Sequence, residues 1–299
     1  MNFLYFLENL RVPVVNEFML AITYFGDEIA FLVAALILFW CVDKRKGYYI
    51  LAVGFIGTMA NQFMKLWFRI PRPWVLDENF TILEQAREAA SGYSFPSGHS
   101  QSAVGTFGGI AATMKNKIVR VVAIVIAVLV PFSRMYIGVH TPYDVVVSIL
   151  IALALVFSFR KPVMEAMKGI IALCLVMALG LLCYVEWGKF PADMDPENLG
   201  SGMKNAYTML GCLIGMAIVY LAEGKYVKFE TKAIWWAQIL KVVLGVAVVL
   251  LVKEGLRSPL EALFGVYPGR AVRYFLVVVT AGVLWPMSFR WFSRLGVKK

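Results

Sequence analysis

Histidine is nearly absent from this chain: two residues, His99 and His140, in 299. Charge is scarce as well, with 29 lysines and arginines against 19 acidic residues and 16% charged residues in all. Hydrophobic residues make up 60% and the mean hydropathy is +0.73. That is far too apolar for a water-soluble domain and is the composition of a polytopic membrane protein. The four cysteines (Cys41, Cys174, Cys183 and Cys212) all lie in apolar runs without metal-ligand spacing. Thiols in such surroundings act as small apolar side chains, so no disulfide framework is implied. The chain also lacks any histidine and carboxylate cluster at metal-ligand spacing, so neither a metal nor another cofactor is expected. Internal repeats, heptad arrays and low-complexity tracts are missing too.

Apolar runs near the roughly 20 residues needed to cross a bilayer recur about nine times. They lie at about 28–42, 47–67, 100–114, 118–139, 141–159, 169–186, 205–222, 234–252 and 271–289. The expected fold is therefore all-α, a polytopic transmembrane helical bundle. Residues 1–27 are apolar but interrupted at Pro13, with no basic start and no small-residue cleavage site. They read as interfacial helices rather than a removable signal peptide. Every motif discussed below falls within 1–160, leaving 161–299 as additional spans.

Net charge of +10 invites a nucleic-acid reading, which the distribution of charge argues against. Basic residues gather in five short groups: Lys44-Arg45-Lys46; Lys115, Lys117 and Arg120; Arg160, Lys161 and Lys168; Lys225, Lys228 and Lys232; and Arg290, Arg294, Lys298 and Lys299. With alternating spans all five land on one face, which the positive-inside rule makes cytoplasmic. The acidic stretch Asp193-Met194-Asp195-Pro196-Glu197 falls on the other. The expected partner is the lipid bilayer, not nucleic acid.

Both histidines sit beside cationic residues in three blocks. Lys65 is followed after six residues by Arg72-Pro73; then come Pro96-Ser97-Gly98-His99 and Ser133-Arg134, five residues, His140, three residues, Asp144. Phosphate ester cleavage needs positive charge on the equatorial oxygens, an in-line nucleophile and a proton for the leaving oxygen. Lys65, Arg72 and Arg134 supply charge, the arginines through forks that suit phosphate oxygens. Ser97 can cap an apolar helix whose free N–H groups at Ser97, Gly98 and His99 face an anion. His140 is the candidate nucleophile, histidine being suited to such work near neutral pH. His140-Thr141-Pro142-Tyr143-Asp144 also reads as a helix start, with Thr141 as N-cap and Pro142 at the first position. Asp144 can thus orient His140, as in a triad, or serve as a capping-box acid. The polar excursion from Trp74 to Tyr93, with Asp77, Glu78, Glu84 and Glu88, reads equally as a cover over this site or a plain connector. By alternation of spans, the catalytic loops fall on the face opposite the basic groups.

These blocks resemble those of the type 2 phosphatidic acid phosphatase superfamily, which includes lipid phosphate phosphatases, glucose-6-phosphatase and vanadium haloperoxidases. Its pattern, Lys-x6-Arg-Pro, Pro-Ser-Gly-His and Ser-Arg-x5-His-x3-Asp, is matched here without departure between Lys65 and Asp144. At about 5% usage per residue type, chance does not assemble so many positions in order. The resemblance implies a six-helix catalytic core and a phosphohistidine on His140. It also implies that His99 protonates the leaving oxygen as general acid and then acts as base for the hydrolytic water.

A membrane-embedded site implies a lipid phosphate or diphosphate as substrate. Arg72-Pro73-Trp74 and the nine-span plan also look like glucose-6-phosphatase, which keeps a sugar phosphate in view. A lipid transporter or non-catalytic lipid-binding relative is the rival from another class, but related halves with interrupted helices are not seen and both histidines are kept. Two further features stand out. Lys241 lies inside an apolar span, where an ionisable group marks a candidate functional site or a snorkelling lysine. Arg257 and Arg270, between the last two spans, are candidates for a second anionic group of the substrate, or for pairing with Glu254 and Glu261.

Overall fold

The computed structural model describes residues 1–87, 90–160, 166–192 and 194–295. Glu88, Lys161, Asp193, Lys298 and Lys299, named above, lie outside the described residues. Those described form helices and loops without a strand. In order the helices are α1 (Asn2–Asn9), α2 (Pro13–Thr23), α3 (Glu28–Ile37), α4 (Lys44–Phe68), α5 (Pro73–Leu76), α6 (Gly98–Ala103), α7 (Gly109–Thr113), α8 (Lys117–Tyr136), α9 (Pro142–Phe159), α10 (Met167–Trp187), α11 (Pro196–Ala222), α12 (Trp235–Gly255), α13 (Arg257–Phe264), α14 (Val266–Val279) and α15 (Phe289–Phe292).

Among the described residues six helices are long and apolar enough to cross a membrane: Lys117–Tyr136, Pro142–Phe159, Met167–Trp187, Pro196–Val227, Trp235–Phe264 and Val266–Phe292. The pair Pro13–Gly26 and Glu28–Val42, bent by 56°, makes a seventh if it is one broken span. The sequence count of about nine is approximate beside these six or seven candidates. α4 has the length, but its apolar run is diluted by Asn61, Gln62 and Lys65. Residues 98–113 rise only about 24 Å at 1.5 Å per residue, short of a hydrocarbon core of about 30 Å. On α8 and α9, Ile118, Val121, Val128, Leu150 and Phe157 are exposed, as side chains bordering lipid would be.

The chain divides into two compact units. The first comprises Met1–Leu32, Tyr49–Pro162 and Lys189–Gly202. Local rules set its helix starts. Pro13 opens α2 as the sequence breaks there, and the Asn116 side chain accepts from the Ile118 and Val119 amides to cap α8. Thr141 caps α9 in a completed capping box with Asp144, and Pro142 takes the first position. α4 approaches α6 and α7 through glycines: a Cβ on Gly57 would meet Gln101 Nε2 at 1.6 Å, and one on Gly109 would meet Ile50 at 2.6 Å. Small residues permit this closeness where lipid offers helices no hydrophobic gain from association. Near the end of α8, Met19, Ala86, Ala90, Tyr136, Ile137 and Val139 form one buried cluster, and Leu4, Phe80 and Ile82 another. The excursion after Trp74 is thereby packed down, with the Leu83 amide donating to the Ile137 carbonyl at 3.1 Å.

The second unit comprises Val33–Tyr48, Val163–Gly188 and Met203–Lys299. Lys241 is buried here but meets no acid among the described residues. Its ammonium donates to the carbonyls of Trp40 (2.8 Å) and Thr231 (3.1 Å) and lies 4.5 Å from the centre of the Phe289 ring. Carbonyl dipoles and an aromatic face take the place of a counter-ion, so Lys241 joins α12 to its neighbours rather than snorkelling.

Candidate active site

The first unit brings the three motifs together. Lys65 stands in the last turn of α4, which is followed by Arg69, a left-handed residue (φ 51°) whose amide still reaches Lys65 O at 3.0 Å. The chain then turns through Pro71 to Arg72, the N-cap of α5, with Pro73 at the first helical position. Backbone carbonyls orient both cations. Lys65 donates to Tyr93 O. Arg72 donates from Nε to Gly92 O (3.0 Å), from Nη2 to Ser91 O (2.9 Å) and from Nη1 to Val139 O (3.0 Å). The 91–94 segment is thus neither free cover nor bare connector but a wall of the site. Arg134, in the last turn of α8, donates from Nη1 to Thr23 Oγ1 at 2.7 Å, while its Nε, also buried, has no partner among the described residues. A buried donor left open is a ready place for an anion's oxygen.

His140 follows α8 in a turn that its amide closes on Arg134 O at 3.3 Å. Its ring is 2% exposed and sits between two kinds of neighbour. Nε2 lies 3.0 Å from Arg72 Nη1. Nδ1 lies 3.6 Å from Asp144 Oδ2 and 3.4 Å from Ser94 Oγ. Asp144 Oδ2 accepts from Ser94 Oγ at 2.6 Å and from the Thr141 amide at 2.7 Å. Capping and contact with His140 therefore coexist: one oxygen closes α9 and faces the imidazole. Burial first, and then Arg72, Arg134 and Lys65, hold His140 well below the usual histidine range, so its ring is neutral at pH 7.

Ser97 caps α6, accepting from the Ser100 amide at 3.4 Å, and its own amide donates to Asp144 O at 3.1 Å. That second bond ties the Pro96-Ser97-Gly98-His99 block to the start of α9. Asn61 Nδ2 steadies the same loop through Pro96 O at 3.3 Å. His99 opens toward the N-terminal segment, where its Nε2 lies 2.6 Å from Asp27 Oδ1. Burial and the nearby Arg134 push His99 down to about 4, against the opposing pull of Asp27. Sequence reasoning missed Thr23, Asp27, Asn61 and Ser94. Each is a common polar residue outside the three blocks, and only the fold brings them to the motif side chains.

Beside Arg72 a cleft of about 830 Å³ opens, its walls including Arg69, Trp74, Arg87, Asp195 and Asn198. Arg257 and Arg270 belong to the second unit and have other contacts. Arg257 pairs with Glu261 at 3.5 Å, and Arg270 donates to Thr208 Oγ1 at 2.6 Å and lies 5.2 Å from the Tyr274 ring centre. Among the described residues no three His, Cys, Asp or Glu side chains gather as metal ligands.

Comparison with known proteins adds an independent line. Residues 45–167 match the PAP2 superfamily, and residues 207–298 match the PAP2 superfamily phosphatase transmembrane extension. Phosphatidylglycerophosphatase B of Bacillus subtilis is 32% identical over 162 residues, half of this chain and 75% of that protein. This chain belongs to the PAP2 superfamily. The undecaprenyl-diphosphatase BcrC of Bacillus subtilis is 30% identical over 133 residues, 44% of this chain and 66% of that protein. A probable sphingosine-1-phosphate phosphatase of Dictyostelium discoideum is 24% identical over 206 residues, 64% of this chain and 49% of that protein. No solved structure matches significantly. The PAP2 match contains every residue of the three motifs, and the extension accounts for most of the apolar chain after 206, where no motif is legible. The chain is thus a multi-pass membrane member of a lipid phosphatase family.

Proposed function

We propose that this PAP2 protein hydrolyses a lipid phosphate or diphosphate through a phosphohistidine on His140, without a metal, at the extracytoplasmic face. His140 Nε2 attacks phosphorus while Lys65, Arg72 and Arg134 take the charge of the equatorial oxygens. The P–O bond to the leaving group breaks and that oxygen receives a proton from His99. Water then attacks phosphorus and gives a proton to His99; the P–N bond breaks, its electron pair returns to Nε2, and inorganic phosphate leaves. Asp144 and Ser94 hold Nδ1 so that Nε2 carries the lone pair. The observation that supports this best is the buried, neutral His140 with Nε2 against Arg72 and Nδ1 toward Asp144.

The substrate class draws on the relatives' names, a diphosphatase and a phosphatidylglycerophosphatase among them. The cleft beside Arg72 has room for the polar remainder of such a headgroup. Its charged and amide lining also suits a sugar phosphate, which keeps that reading as the alternative. Arg257 and Arg270 remain candidates for a second anionic group; glutamine at either position would then raise KM for a diphosphate selectively. The outward face rests on the five basic groups and the positive-inside rule.

The test is phosphate release by purified protein, with EDTA present, from phosphatidate, phosphatidylglycerophosphate, a polyprenyl diphosphate and glucose 6-phosphate. Release from a lipid substrate supports the reading. Turnover confined to glucose 6-phosphate would shift the substrate class, and strict dependence on added magnesium or zinc would overturn the metal-free mechanism.

A further inference from the structure

The matched family region begins at residue 45, yet the site is not closed by that region alone. The turn Thr23–Asp27, at the 56° bend between Pro13–Gly26 and Glu28–Val42, touches two of the three motifs. Thr23 Oγ1 accepts from Arg134 Nη1 at 2.7 Å. Gly26 packs so closely on His99 that an added Cβ would lie 2.9 Å from both the His99 Cβ and its carbonyl oxygen. Asp27 Oδ1 lies 2.6 Å from His99 Nε2, the shortest ion-pair distance at this site.

We infer that Asp27 is the positioning residue of the general acid, doing for His99 what Asp144 does for His140. This rests on the proposed role of His99. A carboxylate at Nε2 keeps a proton on that nitrogen and leaves Nδ1 to exchange protons with the substrate. The bound phosphate offsets Arg134 and Arg72, and a substrate arriving as its monoanion can pass its proton to Nδ1; in the first half-reaction that proton goes to the leaving oxygen as the P–O bond breaks. In the second, Nδ1 takes the proton of the attacking water. The Asp27 carboxylate favours the charged ring in a site where Arg134 and Arg72 oppose it. Without the carboxylate, His99 sits among cations only and is a weaker proton carrier. The Asp27 side chain is 35% exposed and that of His99 18%, so the pair also lies on the side of the site where protons can be replenished from solvent.

The scarcity of histidine makes a direct test possible. In protein labelled with ¹⁵N-histidine, only two imidazoles give signals, and His99→Gln and His140→Gln assign them. Asp27→Asn should remove the proton preference at Nε2 of His99 and move its titration to lower pH, leaving the His140 signals in place. The charged groups facing His99 are Asp27, Arg134 and Arg72, with His140 nearby, and only the first is altered. Kinetics supply the second reading. Asp27→Asn should lower kcat at least tenfold on an alkyl phosphate but less than threefold on p-nitrophenyl phosphate, whose better leaving group needs little protonation. Unchanged His99 titration, or an equal loss on both substrates with lowered thermal stability, would overturn the inference. The spectra do not depend on turnover. An Asp27-dependent His99 signal in a protein that hydrolyses neither ester would leave the pairing intact and remove the phosphatase reading instead.

Discussion

Arg72 Nη1 stands 3.0 Å from His140 Nε2 and donates to the Val139 carbonyl at the same distance. The proposed attacking nitrogen is therefore covered by a cation until phosphate arrives to share it. The guanidinium is already fixed by Ser91, Gly92 and Val139, so little order is lost when the anion binds. Arg72→Lys should lower kcat/KM by about 100-fold or more, because a point charge cannot reach three carbonyls and the phosphate together. Activity within a few-fold of wild type would show that charge alone suffices.

His140→Ala should abolish turnover, and acid-labile phosphate should be recovered on His140 when the native enzyme is quenched. His99→Ala should slow phosphoenzyme formation most for poor leaving groups. Label trapped on another residue would refute the assignment.

Asp144 combines two roles, so Asp144→Asn should both slow turnover and cost about 1 kcal/mol as a weakened cap. Ser94→Ala separates them. It removes the 2.6 Å bond to Asp144 and the 3.4 Å contact to His140 but leaves the Thr141 cap in place. Turnover should fall several-fold with a smaller change in unfolding temperature. A destabilised but fully active Asp144→Asn variant would mean that only the cap matters.

Burial among cations holds both histidines below the unfolded value of 6.5, His99 at about 4 and His140 well below that value. Between pH 6.5 and 4 the unfolded chain therefore binds more protons than the native one, and stability rises with pH across that window. Acidification from pH 7 should destabilise the protein progressively, His99 alone by about 3 kcal/mol in full at 1.36 kcal/mol per pH unit. Asp27, Arg134 and Arg72 surround His99, and Arg72, Arg134 and Lys65 surround His140. Thermal unfolding at pH 7 and pH 5 should show a smaller difference in His99→Gln than in wild type. A flat wild-type profile would contradict the buried, cation-lined setting.

In the second unit, Gly211 lies against the Ala271 backbone, with an added Cβ falling 2.1 Å from the carbonyl oxygen. Backbone cannot rotate away, so Gly211→Ala should cost about 1–3 kcal/mol through forced displacement, read as a lower unfolding temperature. An unchanged transition would mean that the helices slide apart freely.

The sequence by itself determined the membrane class and the helical fold, and it marked the residues on which the proposed chemistry rests. Composition measures transfer into lipid directly, and Lys65, Arg72, His99, Arg134, His140 and Asp144 announce themselves by order and spacing. The cap at Thr141 was legible for the same reason, since capping involves residues three apart in the chain. Only the tertiary structure decided what lies beyond such local rules. It reduced the apolar runs to six or seven candidate spans, because helix length and a bend at residues 26–28 depend on packing as well as hydropathy. It gave Lys241 two carbonyls and an aromatic ring in place of an acid. It also brought Ser94 to Asp144 across 50 positions and Asp27 to His99 across 72. An ordinary serine or aspartate carries no mark of its partner in the linear chain. The pairing arises when helices fold together and a buried polar group must find its match or remain unsatisfied.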